Sequence, residues 1–397
     1  MSEPHPAADR VPREFRRNVA ILGLVSFFND FGSEMALPLL PFFLLSLGAT
    51  PAHIGLMEGA ALGAVYFATL PAGLLSDRLV RRKPVVVAGY AVAALSRAGF
   101  VAATHWTHLL AARLSDRVGK GLRGPPRDAL VAESEARARW GRAFGLQRAL
   151  DTAGAVAGSV CALLFLAAGA DYRAVFLVAL APSLLSVLLL LGVRETGSGV
   201  RRRERLPRRP VGPELKRFMG VALLYAAGSL GAVLLLLRAS ELGASPAAGA
   251  GLYILFNVAG AALAYPTGRL SDRVGRRRAV LLCLLVQAAA MGSFAAAPPG
   301  LLLAPLFLLA GFAYEFFQTS SRAYVADLAP PERRATFFGG YQVVLGAGTV
   351  AGGAAAGALW AARGAEAAFG LAAGLVLLSA LVLATGRKRE NFNPPPA

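Results

Sequence analysis

The sequence predicts an all-α polytopic membrane protein: twelve transmembrane helices in two pseudo-symmetric six-helix halves. Three observations carry this reading. The 397 residues are 56% hydrophobic and 16% charged, where soluble globular chains carry about 25% charged residues. Apolar segments of about 20 residues, long enough to cross ~30 Å of hydrocarbon, recur along the chain. A polar-basic stretch is also written twice, 195 residues apart: Gly73-Leu74-Leu75-Ser76-Asp77-Arg78-Leu79-Val80-Arg81-Arg82-Lys83 and Gly268-Arg269-Leu270-Ser271-Asp272-Arg273-Val274-Gly275-Arg276-Arg277-Arg278. A duplicated hairpin between apolar helices marks two homologous halves, an architecture found chiefly in transporters.

The spans follow in order. Spans 1 to 6 cover roughly 18–46, 51–75, 84–104, 106–131, 143–169 and 172–193. Spans 7 to 12 cover roughly 217–240, 246–270, 279–297, 299–328, 336–360 and 365–386. Span 1 ends without a small-residue cleavage signal and reads as a retained helix. Span 2 opens at Thr50-Pro51, a start that span 8 repeats at Ser245-Pro246. From Arg113 onward span 4 is too charged for a hydropathy window. A shift of 195 lays its Arg127–Ala132 on Arg322–Asp327 of the apolar span 10, so it is predicted to be a helix shielded from lipid by its neighbours. Span 5 carries Gly145, Gly154 and Gly158, which span 11 repeats as Gly339, Gly348 and Gly352 at an offset of 194. Glycines on one face let another helix approach closely. The domains are therefore a tail (1–17), a first half (18–193), a basic linker read as a solvated tether (194–216), a second half (217–386) and a short tail (387–397).

The net charge of +18 does not point to nucleic acid, because the basic residues form short clusters between apolar spans. Segments 1–17, 76–83, 133–142, 194–217, 271–278, 330–336 and 386–390 hold 29 Lys and Arg, and the opposite loops hold only Arg173 and Arg363. The positive-inside rule then puts both termini and the linker in the cytoplasm, with the chain in the cytoplasmic membrane. Cys161 and Cys283 fall inside apolar spans and suggest neither a disulfide framework nor a metal site. His105 and His108 lack a third ligand, so no metal or other cofactor is expected. Gly119-Lys120-Gly121 lacks the spacing and preceding strand of a phosphate loop.

The chemical signal is acid inside span 1. Asp30 and Glu34 are spaced i,i+4 and share one helix face. An unpaired charge at mid-bilayer costs about 2.5–3.5 kcal/mol. Either one carboxyl is protonated or both meet cations. Span 4 offers the cations. Asp116, Lys120, Arg123 and Arg127 lie on one stripe, with Arg113 and Arg117 beside it. At ~1.5 Å per residue, Asp30 is level with Lys120, and Glu34 with Asp116 and Arg117. Span 5 adds Arg148 and Asp151 with Gln147, read as a local pair; Glu58 and Arg97 read as structural partners. At offset 195, Asp30 falls on Tyr225, Glu34 on Ser229, Lys120 on Glu315, Arg123 on Gln318 and Arg127 on Arg322. The second half thus offers a more neutral wall of Tyr225, Asn257, Tyr314, Glu315, Gln318 and Arg322.

The duplicated hairpin resembles the cytoplasmic signature of the major facilitator superfamily, G-x-L-a-D-R-x-G-R-K. The second copy matches closely; in the first, Val80 replaces the glycine. The resemblance implies that spans 1, 4, 7 and 10 line a central cavity. It also implies a gating role for Gly73, Asp77 and Arg78, and for Gly268, Asp272 and Arg273, in contacts that form in one state and break in the other. The glycines of span 5 are similar to the antiporter motif of drug-efflux members, though the Gly-Pro and final glycines of that motif are missing. Asp30-x-x-Ser33-Glu34-Met35 and Arg117–Leu130 resemble a branch of superfamily permeases.

The expected function is secondary active transport of a small molecule by alternating access, coupled to H⁺ through Asp30 or Glu34 and facing Lys120 and Arg117 across the cavity. Efflux of a drug-like or metabolic solute is the first reading. Uptake of an anionic solute on Lys120, Arg123 and Arg127 is the second, and a charge-rich cavity suits a polar or anionic solute. A non-transporting sensor or scaffold is the remaining class; a sensor is expected to add a signalling domain, and the tail after Arg389 is short. The spans hold no nucleophile–base pair, so an enzyme is not expected. The partners are the substrate, H⁺ and the lipid bilayer, with the chain expected to be a monomer.

Overall fold

A computed structural model describes residues 13–78, 81–135, 140–195, 212–298, 303–329 and 334–385. The first half contains α1 (Arg13–Ala36), α2 (Leu40–Ser46), α3 (Pro51–Arg78), α4 (Lys83–Ala102), α5 (Trp106–Glu133), α6 (Trp140–Ala167) and α7 (Tyr172–Leu190). The second half contains α8 (Pro213–Gly228), α9 (Ala232–Glu241), α10 (Pro246–Val274), α11 (Arg276–Ala296), α12 (Ala304–Leu328), α13 (Arg334–Arg363) and α14 (Ala365–Ala384).

These are the twelve expected spans, with the first of each half broken in two. Pro38 and Pro41 interrupt the first span through a 3-10 turn, Leu37–Leu39. Ser229–Gly231 interrupt the seventh. Shifted by 195 residues, Ser229–Gly231 fall on Glu34–Ala36, directly before the Leu37–Leu39 turn, and both breaks border the cavity. Span 4 is helical throughout as α5, with Pro125 and Pro126 inside it.

Eight spans are long and apolar enough to cross a bilayer by length and composition: α3, α4, α6, α7, α8–α9, α11, α13 and α14. The other four are α1–α2, α5, α10 and α12. Each of these four contributes side chains to the cavity between the halves.

The two halves repeat each other's packing. A Cβ on Gly154 or Gly158 of α6 would strike the carbonyls of Phe27 and Phe31 in α1. One on Gly348 or Gly352 of α13 would strike the α8 backbone at Leu223 and Ala227. The glycines likened to an antiporter motif therefore seat α6 on α1 inside one half.

The halves meet along α3–α13 and α6–α10. In the first seam Gly55 faces Gly353 and Gly357, Gly59 faces Gly353, and Gly63 faces Val350. One apolar core joins both halves at the end opposite the termini, from Leu37–Leu44 and Met57 to Leu230, Leu234–Leu237 and Trp360. At the end that carries the termini each half keeps its own core, around Val19, Leu22 and Leu130 in one and Phe218, Val221 and Val325 in the other. The buried core is thus shared between the halves at one end and divided at the other, where Tyr66 of α3 still packs against the core of the second half.

Gly275 closes the second hairpin at φ +88°, a left-handed conformation that favours glycine. Val80, its counterpart, lies outside the described residues, as do the side chains of Asp77, Arg78 and Asp272. Arg273 is exposed at the end of α10.

A methyl group on Gly55 would lie 2.5 Å from the Gly353 carbonyl oxygen. Gly55→Ala is expected to destabilise the bundle by about 1–3 kcal/mol through overpacking, read as a lower thermal unfolding midpoint of the purified protein. Gly251→Ala, with nothing within 4 Å of its added methyl, is expected to leave that midpoint unchanged.

Candidate functional site

A cavity of about 430 Å³ lies between the halves. Its first-half wall holds Asp30 and Glu34 from α1, Glu58 from α3, Arg113, Arg117 and Lys120 from α5, and Asp151 from α6. The second-half wall holds Ser229, Tyr253, Phe256, Asn257, Gln287, Tyr314 and Glu315.

The ions of the first wall are paired in a fixed order. Asp116 is buried at the centre of three guanidinium groups. Arg117 Nε is 3.1 Å away, Arg97 Nη2 3.6 Å and Arg113 Nη1 4.0 Å. Arg113 also reaches Glu58 at 3.3 Å. Arg97 donates to the Asn29 carbonyl at 3.4 Å and to the Ala93 carbonyl, tying α4 to α1. Asp30 accepts from Asn29 at 2.9 Å and pairs with Arg123 Nη2 at 3.8 Å. Lys120 and Asp151 face it as well.

Glu34 behaves differently. It has no cation within 4 Å among the described residues; Tyr253 Oη of the other half donates to its Oε2 at 2.5 Å and Ser33 to its Oε1 at 3.5 Å. The central acid of the first half is therefore held by a neutral donor across the seam.

Several sequence expectations are changed here. Arg123 and Arg127 do not line the cavity. Arg123 turns into its own half and stacks 4.3 Å over the Tyr90 ring. Arg127 pairs with Asp128 at 2.9 Å and donates to Ser26 at 3.3 Å. Gln147 donates to the same Ser26. Asp116 lies behind the wall. Tyr225 is buried against Phe317, with ring centroids 3.4 Å apart, and leaves the cavity. Gln318 bonds Tyr66 of α3, and Arg322 is exposed. Arg148's side chain lies outside the described residues. Asp30, Glu34, Arg117, Lys120, Asp151, Asn257 and Glu315 line one cavity.

Glu58, Arg113, Tyr253, Phe256 and Gln287 were not among the expected site residues. Tyr253 and Asn257 share the i,i+4 spacing of Asp30 and Glu34, and Asn257 donates back to the Tyr253 carbonyl at 3.0 Å. That spacing was the available signal. Among the described residues no group of three His, Cys, Asp or Glu is placed to hold a metal.

The Major Facilitator Superfamily profile matches residues 22–237 and 217–397, which together span nearly the whole chain. An MFS-type transporter of Methanocaldococcus jannaschii is 32% identical over 357 residues, covering 88% of this chain and 89% of that one. The chain belongs to the major facilitator superfamily. A Mycobacterium tuberculosis protein is 28% identical over 360 residues, covering 87% of each chain. Among solved structures, a mutant of the nucleoside transporter NupG superposes with a TM-score of 0.78 at 15% identity, over 92% of this chain and 98% of that one. A bacterial homologue of the lysosomal transporter Spinster, inward-facing and unoccupied, gives 0.73 at 15% identity over 94% and 97%. These likenesses carry the fold. As a superfamily member, the chain has the fold of a membrane transporter of small molecules, with its cavity between the two halves.

Asp116→Asn leaves three guanidinium groups around a neutral amide. It is expected to destabilise by about 3–5 kcal/mol, the cost of breaking a buried ion cluster. Asp128→Asn removes a partner that is 49% exposed and is expected to cost less than about 1 kcal/mol. Thermal unfolding of the two purified variants checks the contrast.

Proposed function

We propose that this chain is a proton-coupled secondary transporter that exports a small polar solute by alternating access, in exchange for H⁺. The observation that carries this reading is the hydrogen bond from Tyr253 of one half to Glu34 of the other, inside the cavity. Intramembrane carboxyls are costly and mark ion paths. An ionised Glu34 is a strong acceptor for the phenol; a protonated one is a weak acceptor. Proton occupancy at this one carboxyl thus changes a contact between the two bodies that must rock. Asp30, with Asp151, Lys120 and Arg123 around it, is the second proton site.

The positive-inside orientation makes the end with divided cores cytoplasmic, and on this reading the cavity loads from that side. A second reading, uptake of an anionic solute, rests on Lys120, which lines the cavity and has no ion pair within 4 Å among the described residues.

The test uses the full chain in proteoliposomes with an imposed pH gradient and an internal pH dye, screening solutes in both directions. Solute movement against its gradient, with counterflow of protons, is expected. Asp30→Asn and Glu34→Gln are expected to lose gradient-driven accumulation by about tenfold or more while keeping downhill exchange. Tyr253→Phe is expected to keep proton coupling but slow turnover. Unchanged accumulation in both acid variants removes the proton assignment, and co-directional movement of protons and solute replaces export by uptake.

A further inference from the structure

We infer that the second half binds an anionic phospholipid, its headgroup phosphate held in a separate cavity by Arg217 and Arg277. This cavity lies at the end that carries the termini and shares no lining residue with the one between the halves.

It holds about 430 Å³ and is built by α8, α11, α12 and α14, all of one half. Arg217 comes from α8 and Arg277 from α11, and the acid Glu214 stands with them. Phe218, Leu328 and Leu383 supply an apolar floor. Glu214 precedes Arg217 by three residues, a spacing that allows an ion pair across one helix turn. That pair is not made. Tyr324 Oη donates to Glu214 Oε1 at 2.7 Å, and Arg217 has no ion pair within 4 Å among the described residues. Arg277 Nη2 donates to the neutral carbonyls of Leu383 at 2.7 Å and Ala384 at 3.3 Å, at the end of α14. Both guanidinium groups stand near the Tyr324 phenol. Arg276 pairs with Asp327 at 3.4 Å, and neither lines the cavity.

The first half shows what this position demands. A shift of 195 lays Arg277 on Arg82, Leu328 on Glu133 and Arg217 on Leu22. There Arg82 pairs with Glu133, and Glu195 accepts from the backbone N–H groups of Arg82 at 2.9 Å and Lys83 at 3.0 Å. Leu22 is buried in the core. The first half thus answers the cations at this helix start with its own carboxylates. The second half has a leucine in place of Glu133 and an arginine in place of Leu22. Glu390, at the position of Glu195, lies outside the described residues. An anion from outside restores the balance.

Guanidinium groups match phosphate oxygens in geometry as well as charge. A soluble phosphate has no use for the apolar floor, whereas a lipid carries glycerol and acyl groups to cover it. On the positive-inside orientation this end meets the cytoplasmic leaflet, where basic pockets between helices hold anionic headgroups.

The experiment uses the purified full chain in detergent. Native mass spectrometry counts retained lipid, and thermal unfolding is read on adding phosphatidylglycerol, phosphatidylcholine or inorganic phosphate. Phosphatidylglycerol alone is expected to be retained and to raise the midpoint. Arg217→Gln is expected to weaken its binding by about fivefold. Arg217 is exposed, so this variant keeps the fold. Lys216→Gln removes the same charge from an exposed neighbour that does not line the cavity, and is expected to change binding by less than about twofold. Glu214→Gln keeps an acceptor for Tyr324 and is expected to strengthen binding by about twofold or more. Equal losses in Arg217→Gln and Lys216→Gln mean diffuse attraction and overturn the inference. So does phosphatidylcholine binding as well as phosphatidylglycerol, or inorganic phosphate stabilising as much as the lipid. Phosphatidylglycerol binding that emerges only in Glu390→Gln makes the chain's own tail the occupant and overturns it too.

Discussion

An ion buried in hydrocarbon has no water to turn to, so every charge inside this bundle must be answered by protein. The rest of the architecture follows from that demand. Eight spans are apolar enough to face lipid by length and composition, and α1–α2, α5, α10 and α12 each contribute side chains to the cavity between the halves. Asp116 is the point around which α3, α4 and α5 are fastened, through Arg97, Arg113 and Glu58. Once those pairs are made, little charge is left over, and what remains faces the cavity. The same rule that stabilises the half therefore decides which groups are free to handle a solute.

The two halves keep one plan and use it differently. In both, the first span breaks at the level of the cavity, and in both a pair of glycines seats the fifth helix against the first. The first half fills its share of the cavity with ions, and the second fills it with rings and amides. Tyr253 and Glu34 join these two chemistries by one short hydrogen bond.

Much of the fold was legible in the sequence because a duplication supplies its own alignment. Shifting the chain by 195 residues recovered α5, whose charge hides it from hydropathy, and located the hairpins and helix starts. The acids of α1 were legible as costs in lipid. What could not be read was direction. The stripe of Lys120, Arg123 and Arg127 predicts a shared face, but at ~1.5 Å per residue Arg127 lies about 10 Å along the helix from Lys120. Arg123 and Arg127 therefore turn to Tyr90 and Ser26 while Lys120 meets the cavity. The partner of Glu34 was out of reach for another reason: Tyr253 comes from the other half, and no periodicity within one helix reports a contact across a seam.

The glycines between α3 and α13 have a mechanical consequence. Interlocked side chains behave like gear teeth, and a helix pair so joined must lift apart before it can turn. Along Gly55, Gly59, Gly353 and Gly357 the teeth are missing, and backbone lies directly on backbone. Such a contact is smooth, so the two halves can tilt about it while staying in touch. The seam has the shape an axle needs, backbone against backbone with no side chains interlocked at those glycines.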